Sequence, residues 1–390
     1  MGIQTASQAV SNEFGGLSSP FTFRNRVVNG DYQFAQRTAG AALTGLSSYN
    51  QRAADMARTG GGVLGSGRYS YQRMCSNDSS ATGYESGSAP NGFSNSVKLT
   101  VTTTEAENGS TGSVFHSHFI EGYGVADFGI GTTWAKPFTI SFWVKSSVTG
   151  TYSIQVNNGA SPTGACYVTY TINNANTWEY KTINIPPATT TSASWSYTTG
   201  VGLRLDFKLK ADSTTYNNSV ATNVWLEGAA ADNKNVIGTV NLFATSGATW
   251  YITGLQVELG TTATPFERRP YNLELSLCQR YYTQFGTSYG DAPSGFAGHW
   301  STASVCRFVV GLPVPMRLAP SVSFTNPTGG ISIYRPSSSQ ASAGSDISAE
   351  EITASGFIVN AGTTSGTSTA GFASHMRCYG TGKISASSEY

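Results

Sequence analysis

Apolar and polar residues alternate along much of the chain, most clearly in three segments. In segment 201–209, VGLRLDFKL, every second residue is apolar, and charged residues or glycine stand between them. Segments 137–147, PFTISFWVKSS, and 248–260, ATWYITGLQVELG, repeat the alternation, the second with a glycine that indicates a bulge. A period of two is typical of β-strands that bury one face. Weaker segments of the same kind are RVVNGDYQFAQ, SVFHSHFIEG, YSIQVNN, YVTYTI, WEYKTINI and GTVNLFAT.

Many short strands separated by turn residues predict an all-β fold, a jelly-roll β-sandwich rather than a parallel α/β sheet. The composition agrees, because the chain has 44 glycines for turns and 12% aromatic residues for pleated, half-buried surfaces. Only 12% of residues are charged, about half the usual share. A surface so poor in charge favours a chain that is buried in part within an oligomer.

One stretch, RRPYNLELSLCQRYY, departs from the period-two pattern. Pro270 closes the preceding strand, and Asn272 is a candidate helix cap. Leu273, Leu277 and Tyr281 then follow at helical spacing. The pattern predicts a short linking helix within residues 271–285, which needs a packing partner to be stable.

Four segments result from this pattern. Residues 1–24 are a polar, Gly/Ser-rich leader, either a disordered tail or a segment that docks on a partner. Residues 25–270 form the jelly roll, and residues 271–285 form the linking helix. Residues 286–390 alternate short strands with low-complexity loops and are predicted to form a smaller C-terminal β domain.

Charge, cysteine content and hydropathy exclude several classes of protein. A net charge of +1 leaves no basic surface for nucleic acid. No apolar run is long enough to span a bilayer, so membrane insertion is not expected. The five cysteines are scattered without a CxxC pair, which argues against disulfides and zinc and favours folding in a reducing cytosol.

The sequence contains no recognised catalytic motif, and we expect a protein that is not an enzyme. One metal-binding hypothesis rests on His116 and His118, which share a strand face, with Glu121 nearby. A second hypothesis, glycoside hydrolysis, needs two carboxylates at a defined separation. The candidates for that pair are Glu121, Asp127, Glu179, Asp206 and Glu258.

Aromatic residues in or beside predicted loops suggest a sugar-binding surface. Aromatic rings stack on the apolar C–H faces of sugars, while Asn, Ser and Thr bind the hydroxyl groups, so such a surface needs no charge. The alternative is that these rings fill the core or an interface between chains. The candidates are Trp134, Trp195, Tyr216, Trp225, Tyr289 and Trp300.

Several segments between residues 25 and 325 resemble one family of tailed-phage proteins. They are NRVVNGDYQFAQR, FIEGYGVADFGIGTTWAKPFTISFWVKSSVTGTYSI, NTWEYKTINIP, GATWYITGLQVELGTTATPFERRPYNLELSLCQRYY and LPVPMRLAPSVSF, in that order. The family comprises tail fibres and related virion appendages, common in phages of marine bacteria and cyanobacteria. The resemblance implies a jelly roll similar to carbohydrate-binding modules, in a virion protein that assembles as a homotrimer.

The resemblance also implies a structural calcium. In the related modules, the opening NG-D segment and the closing ITGLQVE strand lie side by side, and some bind calcium there. Asp31, Gln33 and Glu258 occupy the matching positions. The family's aspartate and arginine before a tryptophan are replaced here by YSYQRMC, so this loop has diverged.

Charged residues cluster where the jelly roll is predicted to end, in TPFERRPY. They can pair with one another or with a neighbouring chain, because a buried arginine needs a carboxylate partner. We expect an oligomer interface near a three-fold axis, with the alternative that the helix packs only against its own domain. The interface candidates are Arg268, Arg269, Leu273, Leu277 and Tyr281.

The leading hypothesis is a non-enzymatic tail fibre-type appendage of a phage virion, folded in the host cytoplasm. It binds other virion proteins through residues 1–24 and adsorbs to host cell-surface polysaccharide as a trimer. The second hypothesis is a structural adaptor or a capsid- or neck-attached appendage that contacts only virion proteins. The third is a polysaccharide depolymerase, which the chain length and the absence of β-helix repeats disfavour.

Overall fold

The computed structural model describes most of the 390-residue chain. It consists of antiparallel β-sheets joined by short helices, so the predicted all-β fold is confirmed. The predicted docking segment 1–24 lies outside the described residues apart from its last two. In the described part of the chain, no helix is long and apolar enough to cross a membrane. The described residues are 23–46, 51–61, 67–105, 114–159, 164–189, 193–210, 220–228, 236, 238–286, 295–334, 340–363, 369–378 and 381–390.

A jelly-roll sandwich forms the larger, N-terminal unit. Its strands are β1 (Leu43–Leu46), β2 (Arg52–Ala54), β3 (Ala57–Gly61), β4 (Tyr69–Cys75), β5 (Asn95–Val101), β6 (Val114–Glu121), β7 (Phe138–Ser146), β8 (Gly150–Asn157), β9 (Gly164–Ile172), β10 (Glu179–Ile185), β11 (Val201–Lys210), β12 (Trp225–Glu227) and β13 (Thr249–Leu259). One sheet has the order β1-β4-β5-β13-β7-β10, and the other has the order β12-β9-β8-β11-β6-β3-β2. We call them the six-stranded and the seven-stranded sheet.

The apolar faces predicted from the alternation build the core between these two sheets. Phe142 of β7, Phe207 of β11 and Trp250 of β13 are fully buried there. The rings of Phe142 and Phe207 meet edge to face with their centroids 5.1 Å apart. The register between β13 and β7 shifts between Thr253 and Gln256, which places the predicted bulge at Gly254.

The helix after the sandwich is shorter than the predicted segment 271–285. It spans Tyr271–Gln279 with Pro270 at its N-cap, so Asn272 does not cap it. The chain then continues as strand β14, because residues 282–286 pair in register with residues 383–387. The helix therefore ends where this strand pairing begins. The pairing joins residues about 100 positions apart, so the local sequence pattern did not predict it. In the part of the chain that the structure describes, the other helices are the α-helices Gly122–Val125 and Pro327–Gly330 and the 3₁₀-helices Ala126–Phe128 and Leu242–Ala244.

The C-terminal unit combines a small sheet with a closed barrel. Its strands are β14 (Tyr282–Gly286), β15 (Gly295–Trp300), β16 (Val305–Gly311), β17 (Ser321–Thr325), β18 (Ile331–Tyr334), β19 (Gln340–Thr353), β20 (Gly356–Thr363), β21 (Ala373–Cys378) and β22 (Lys383–Ser387). The sheet has the order β14-β22-β17, and the barrel has the order β15-β16-β20-β19-β18-β21. A second apolar core, which includes Trp300, Phe308 and Met376, fills this unit.

Candidate functional site

An open groove of about 490 Å³ lies beside the turn between β8 and β9 and the segment that enters β11. Two aromatic residues, Trp195 and Tyr197, line it together with small polar side chains. Asn158 joins the two segments, because its Nδ2 donates a hydrogen bond to the Ser194 carbonyl oxygen over 3.0 Å. The groove residues are Asn158, Ser194, Trp195, Ser196, Tyr197, Thr198 and Val201.

Trp195 is held in place by contacts on several sides. Gly131 has a φ of +80°, and a Cβ atom at this position would collide with the Trp195 ring. A Cβ atom at Gly164 would lie 3.1 Å from the Cζ2 atom of the same ring. The ring also meets Trp225 edge to face at a centroid distance of 5.5 Å. The groove therefore presents an aromatic ring whose orientation is set by the fold.

The segment 129–131 brings further aromatic residues to the same region. The hydroxyl group of Tyr197 donates a hydrogen bond to the Ile130 carbonyl oxygen. Trp134, which is 56% exposed, packs on Gly129, where a Cβ atom would collide with its ring. Two of the predicted sugar-binding residues, Trp134 and Trp195, thus each pack on this glycine-containing segment, Trp134 on Gly129 and Trp195 on Gly131.

The chemistry of this groove suits a neutral, hydroxyl-rich ligand. The rings of Trp195 and Tyr197 offer apolar surface, and the serine, threonine and asparagine side chains supply donors and acceptors. Among the described residues that line it, none is charged.

Two other predicted sugar-binding residues, Trp300 and Trp225, are buried, so their prediction as ligand contacts was wrong. Trp300 is 0% exposed and lies inside the second core, because its strand β15 pairs with β16 and β21 in the barrel. Trp225 is buried, donates a hydrogen bond from Nε1 to the Pro186 carbonyl oxygen over 2.8 Å, and supports Trp195 instead. Tyr216 and Tyr289 lie outside the described residues.

Most of the described side chains on the outer face of the seven-stranded sheet are buried. On β11, the Asp206 carboxylate is buried and forms an ion pair with Arg204 over 2.8 Å. Asn157 also donates a hydrogen bond to this carboxylate, over 3.0 Å. On β9, the buried Tyr167 packs against Val220, Leu226 and Val236. Other described side chains of this face that are buried belong to Phe115, Ser117, Phe119, Ser153, Gln155, Lys208 and Lys210.

The charged residues at the end of the jelly roll pair within the chain. Arg269 and Glu274 are both buried and form an ion pair over 3.0 Å. Arg280 binds the Glu121 carboxylate with two nitrogens, over 2.9 and 2.7 Å. Tyr281 donates its hydroxyl hydrogen to the same carboxylate over 2.8 Å. Arg269 and Arg280 therefore both bind carboxylates of the same chain, and the Arg269 pair is buried.

Because of this pairing within the chain, fewer of the predicted interface residues are available for contacts with another chain. Arg269 and Tyr281 are buried by contacts inside the chain, as in the alternative in which the helix packs against its own chain. Arg268, Leu273 and Leu277 keep exposed surface. An interface between chains through these three residues stays a prediction.

Two of the residues that the resemblance assigns to calcium, Asp31 and Glu258, have other partners in the structure, while Gln33 lines the same cavity as Asp31. The NG-D segment and the ITGLQVE strand do lie side by side, since the Leu255 amide donates to the Gly30 carbonyl oxygen over 2.9 Å. The Glu258 carboxylate, however, accepts hydrogen bonds from the Thr264 amide and hydroxyl groups over 2.8 and 2.6 Å. Asp31 faces Arg268 at 3.6 Å instead. In the described ranges, no group of three or more His, Cys, Asp or Glu side chains is placed to hold a metal ion.

The histidine pair of β6 is part of the core. His116 lies between two tyrosines, with the Tyr32 hydroxyl 3.0 Å from Nε2 and the Tyr71 hydroxyl 2.6 Å from Nδ1. Burial lowers the pKa of His116 well below its usual value and that of His118 to about 3. Glu121 binds Arg280 instead of joining them. The metal-binding hypothesis for these three residues was therefore wrong.

The carboxylates considered for glycoside hydrolysis each have a partner of their own. Glu121, Asp206 and Glu258 bind the groups described above. Asp127 lies 2.8 Å from Arg26, and Glu179 lies 2.6 Å from Lys181. These contacts give no support to a depolymerase built on this set.

A second group of aromatic residues was missed from the sequence. Trp143, Trp178, Tyr180 and Tyr251 lie on or beside the outer face of the six-stranded sheet. The alternation in segment 137–147 contains the signal for Trp143, because it places this ring opposite the buried Phe142.

Comparisons with known proteins give matches to solved structures alone. No protein-family model matches the chain, and the curated proteins contain no match. One similar structure is entitled "CBM4 structure and function", with 12% identity, a TM-score of 0.29, and coverage of 60% of this chain and 99% of that one. Another is TmCBM61 in complex with beta-1,4-galactotriose, with 10% identity, a TM-score of 0.29, and coverage of 61% and 99%. A third is the family 11 carbohydrate-binding module from Clostridium thermocellum, with 11% identity, a TM-score of 0.26, and coverage of 56% and 95%.

Proposed function

We propose that this protein binds glycan without acting on it, and that the groove at Trp195 and Tyr197 is the binding site. The observation that carries the proposal is the combination of a fixed, partly exposed indole with uncharged hydroxyl and amide groups in one open groove. A sugar ring stacks on the indole, and its hydroxyl groups exchange hydrogen bonds with Asn158, Ser196 and Thr198. The neutral lining favours neutral sugars.

We further propose that the chain is a tail fibre-type appendage of a phage virion that mediates adsorption to the host. The support is the ordered set of sequence segments that resembles this family of virion proteins. Residues 1–24 would bind other virion proteins, and a homotrimer would present three copies of the groove. Several weak sites on one particle give strong attachment, because binding at the second site becomes intramolecular.

The groove is tested by measuring the binding of the labelled full-length chain to an array of neutral oligosaccharides and to candidate host cells. Trp195→Ala and Tyr197→Ala are compared with Tyr84→Ala, which removes an exposed aromatic ring elsewhere on the sandwich. We expect saturable binding that both groove variants lose and the control retains. Equal binding by all four proteins would show that the groove is not the site.

The virion role has its own test. Gold-labelled antibodies against the purified chain are applied to phage particles, and light scattering measures the mass of the purified oligomer. We expect label on the tail or its appendages and a mass of three chains. A monomer that is absent from particles would overturn the fibre proposal without affecting the glycan groove. Particle label without binding to any glycan or cell would favour the structural adaptor.

A further inference from the structure

The outer face of the six-stranded sheet carries an ordered aromatic and cationic surface, which we call the platform. Four neighbouring strands, β5, β13, β7 and β10, contribute side chains in two rows. In one row Tyr251 is in register with both Lys98 and Lys145. In the next row Trp143 is in register with both Thr253 and Tyr180. The strand register therefore sets the arrangement of these two rows of side chains.

The rings of the platform form two contacting pairs. Trp143 and Tyr180 have centroids 5.4 Å apart at an angle of 47°, and Tyr180 is 43% exposed. Trp178 and Tyr251 have centroids 6.0 Å apart in an edge-to-face arrangement. Trp143 and Trp178 are both half-buried. Tyr251 is only 5% exposed, so the partly exposed rings of Trp143, Trp178 and Tyr180 are the ones available for stacking against a ring-shaped ligand.

The charges of the platform leave one cation in excess. Glu85 binds Lys98 over 2.6 Å and accepts the Tyr251 hydroxyl hydrogen over 2.6 Å, so its charge offsets that of Lys98. Lys145 lies over the rings of Tyr251 and Trp178, at 4.2 and 5.2 Å from their centroids. It donates one of its three ammonium hydrogens to the Gly87 carbonyl oxygen over 2.8 Å. The Lys145 ammonium is thus held by neutral groups, and the one carboxylate nearby, Glu85, interacts with both lysines, which leaves one positive charge in excess.

We propose that the platform is a second carbohydrate site, separate from the groove, and that it binds acidic polysaccharide. A sugar ring stacks on Trp143 and Tyr180 while its anionic substituent, a carboxylate or a sulfate, binds the Lys145 ammonium. An ionised acceptor gives a shorter and stronger hydrogen bond than a hydroxyl group does. The groove has no charged lining residue in its described part, so the two sites select different ligands. This inference does not depend on the groove being functional.

The test is calorimetric titration of the full-length chain with polygalacturonate, dextran sulfate and neutral dextran. The variants are Lys145→Gln and Trp143→Ala, with Lys383→Gln as the control because Lys383 is a half-buried lysine of the C-terminal unit. Trp195→Ala is included to separate the platform from the groove. Circular dichroism and thermal unfolding establish that each variant folds.

We expect at least one acidic polymer to bind and neutral dextran not to bind at the platform. Lys145→Gln should weaken acidic binding by about tenfold, the loss of one charge-assisted hydrogen bond. It should also reduce the dependence of affinity on salt concentration. Trp143→Ala should weaken binding too, while Lys383→Gln and Trp195→Ala should leave it unchanged. Binding of one acidic polymer alone would identify the substituent as carboxylate or sulfate.

Three results would overturn the proposal. The first is that neither acidic polymer binds the folded chain. The second is that Lys145→Gln binds as tightly as the unaltered protein. The third is that Trp195→Ala abolishes acidic binding, which would assign that binding to the groove.

Discussion

At the scale of single residues, the buried ion pair of Arg269 and Glu274 shows how charged side chains inside this chain are paired. Arg269 donates to the Val27 carbonyl oxygen over 3.1 Å in addition to its ion pair with Glu274. Glu274 in turn accepts the Asn29 amide hydrogen. The pair therefore holds the helix against the segment that opens the jelly roll. Its removal leaves a buried charge without a partner, which costs more than the pair itself contributes.

Glu274→Ala is expected to lower the free energy of unfolding by ~3 kcal/mol, since Arg269 stays buried without its carboxylate. Urea denaturation of the purified chain measures the change. Glu351→Ala is the matched control, because its pair with Arg307 is exposed and should contribute under ~1 kcal/mol. Similar losses in the two variants would show that burial does not set the strength of these pairs.

His118 should make the fold sensitive to acid. Burial lowers the pKa of His118 to about 3, whereas an unfolded histidine keeps its ordinary value of 6.5. Its contribution is therefore fully present above pH 6.5 and is lost as the pH falls, by about 1.4 kcal/mol per pH unit. Burial raises the pKa of Asp55 to about 6, so Asp55 acts in the opposite direction between pH 6 and 3.8.

The comparison of His118→Leu with the unaltered chain isolates this effect, since Asp55 and His116 act in both proteins. Urea denaturation between pH 7 and 4 should show a steeper loss of stability on acidification for the unaltered chain. His299→Asn, at an exposed position on β15, should follow the unaltered chain. Parallel curves for the unaltered chain and His118→Leu would contradict the assignment.

At the scale of elements, the alternation of side chains predicted most of the sandwich but not which face a ligand can reach. Segments 137–147 and 201–209 form strands with the predicted apolar faces buried. His116 and His118 share one face, as the alternation requires, yet that face is the core. Only strand pairing decides this, and it comes from residues far away in sequence. The same holds for Trp300, whose strand closes a barrel.

The position of the aromatic residues around the groove depends in the same way on contacts between distant segments. Trp134 and Trp195 stand in loops, where exposure is common, which makes them candidates for ligand contact. That they bind a sugar stays a prediction. Both rings pack on segment 129–131, where Gly129 and Gly131 have φ values of +63° and +80°. These glycines allow two indoles to pack on the main chain. A sequence pattern does not show which loops meet in space.

Gly131→Ala is expected to weaken glycan binding several-fold, because the added methyl group displaces the Trp195 ring. Gly247→Ala is the matched control, since its φ of +77° carries the same strain while no atom lies within 4 Å of the added Cβ. Both variants should lose ~1 kcal/mol of stability to backbone strain. Titration with the oligosaccharide selected on the array measures the affinity of each variant. Equal affinities of Gly131→Ala and Gly247→Ala would show that the position of the Trp195 ring does not matter for binding.

At the scale of the whole molecule, contacts of Glu389 and Tyr390 join the two units, in addition to the helix. Glu389 forms ion pairs with Arg37 and, over 3.1 Å, with Arg52. The Tyr390 ring stacks on Phe119 at a centroid distance of 5.5 Å and an angle of 17°. These contacts reach from the C-terminal unit to the seven-stranded sheet. We infer that the two units unfold together because this surface is shared.

Tyr390→Ala should uncouple that unfolding. The ring also lies under the Arg317 guanidinium at 4.0 Å, and its hydroxyl group donates to the Thr199 carbonyl oxygen over 3.1 Å. Its loss should cost ~2–3 kcal/mol, less than a fully buried aromatic residue. Differential scanning calorimetry should then resolve two transitions in place of one. Tyr390→Phe keeps the ring and should cost about 1 kcal/mol, the value of one hydrogen bond. A single transition at the original temperature in Tyr390→Ala would mean that the helix and its buried ion pairs couple the units without this contact.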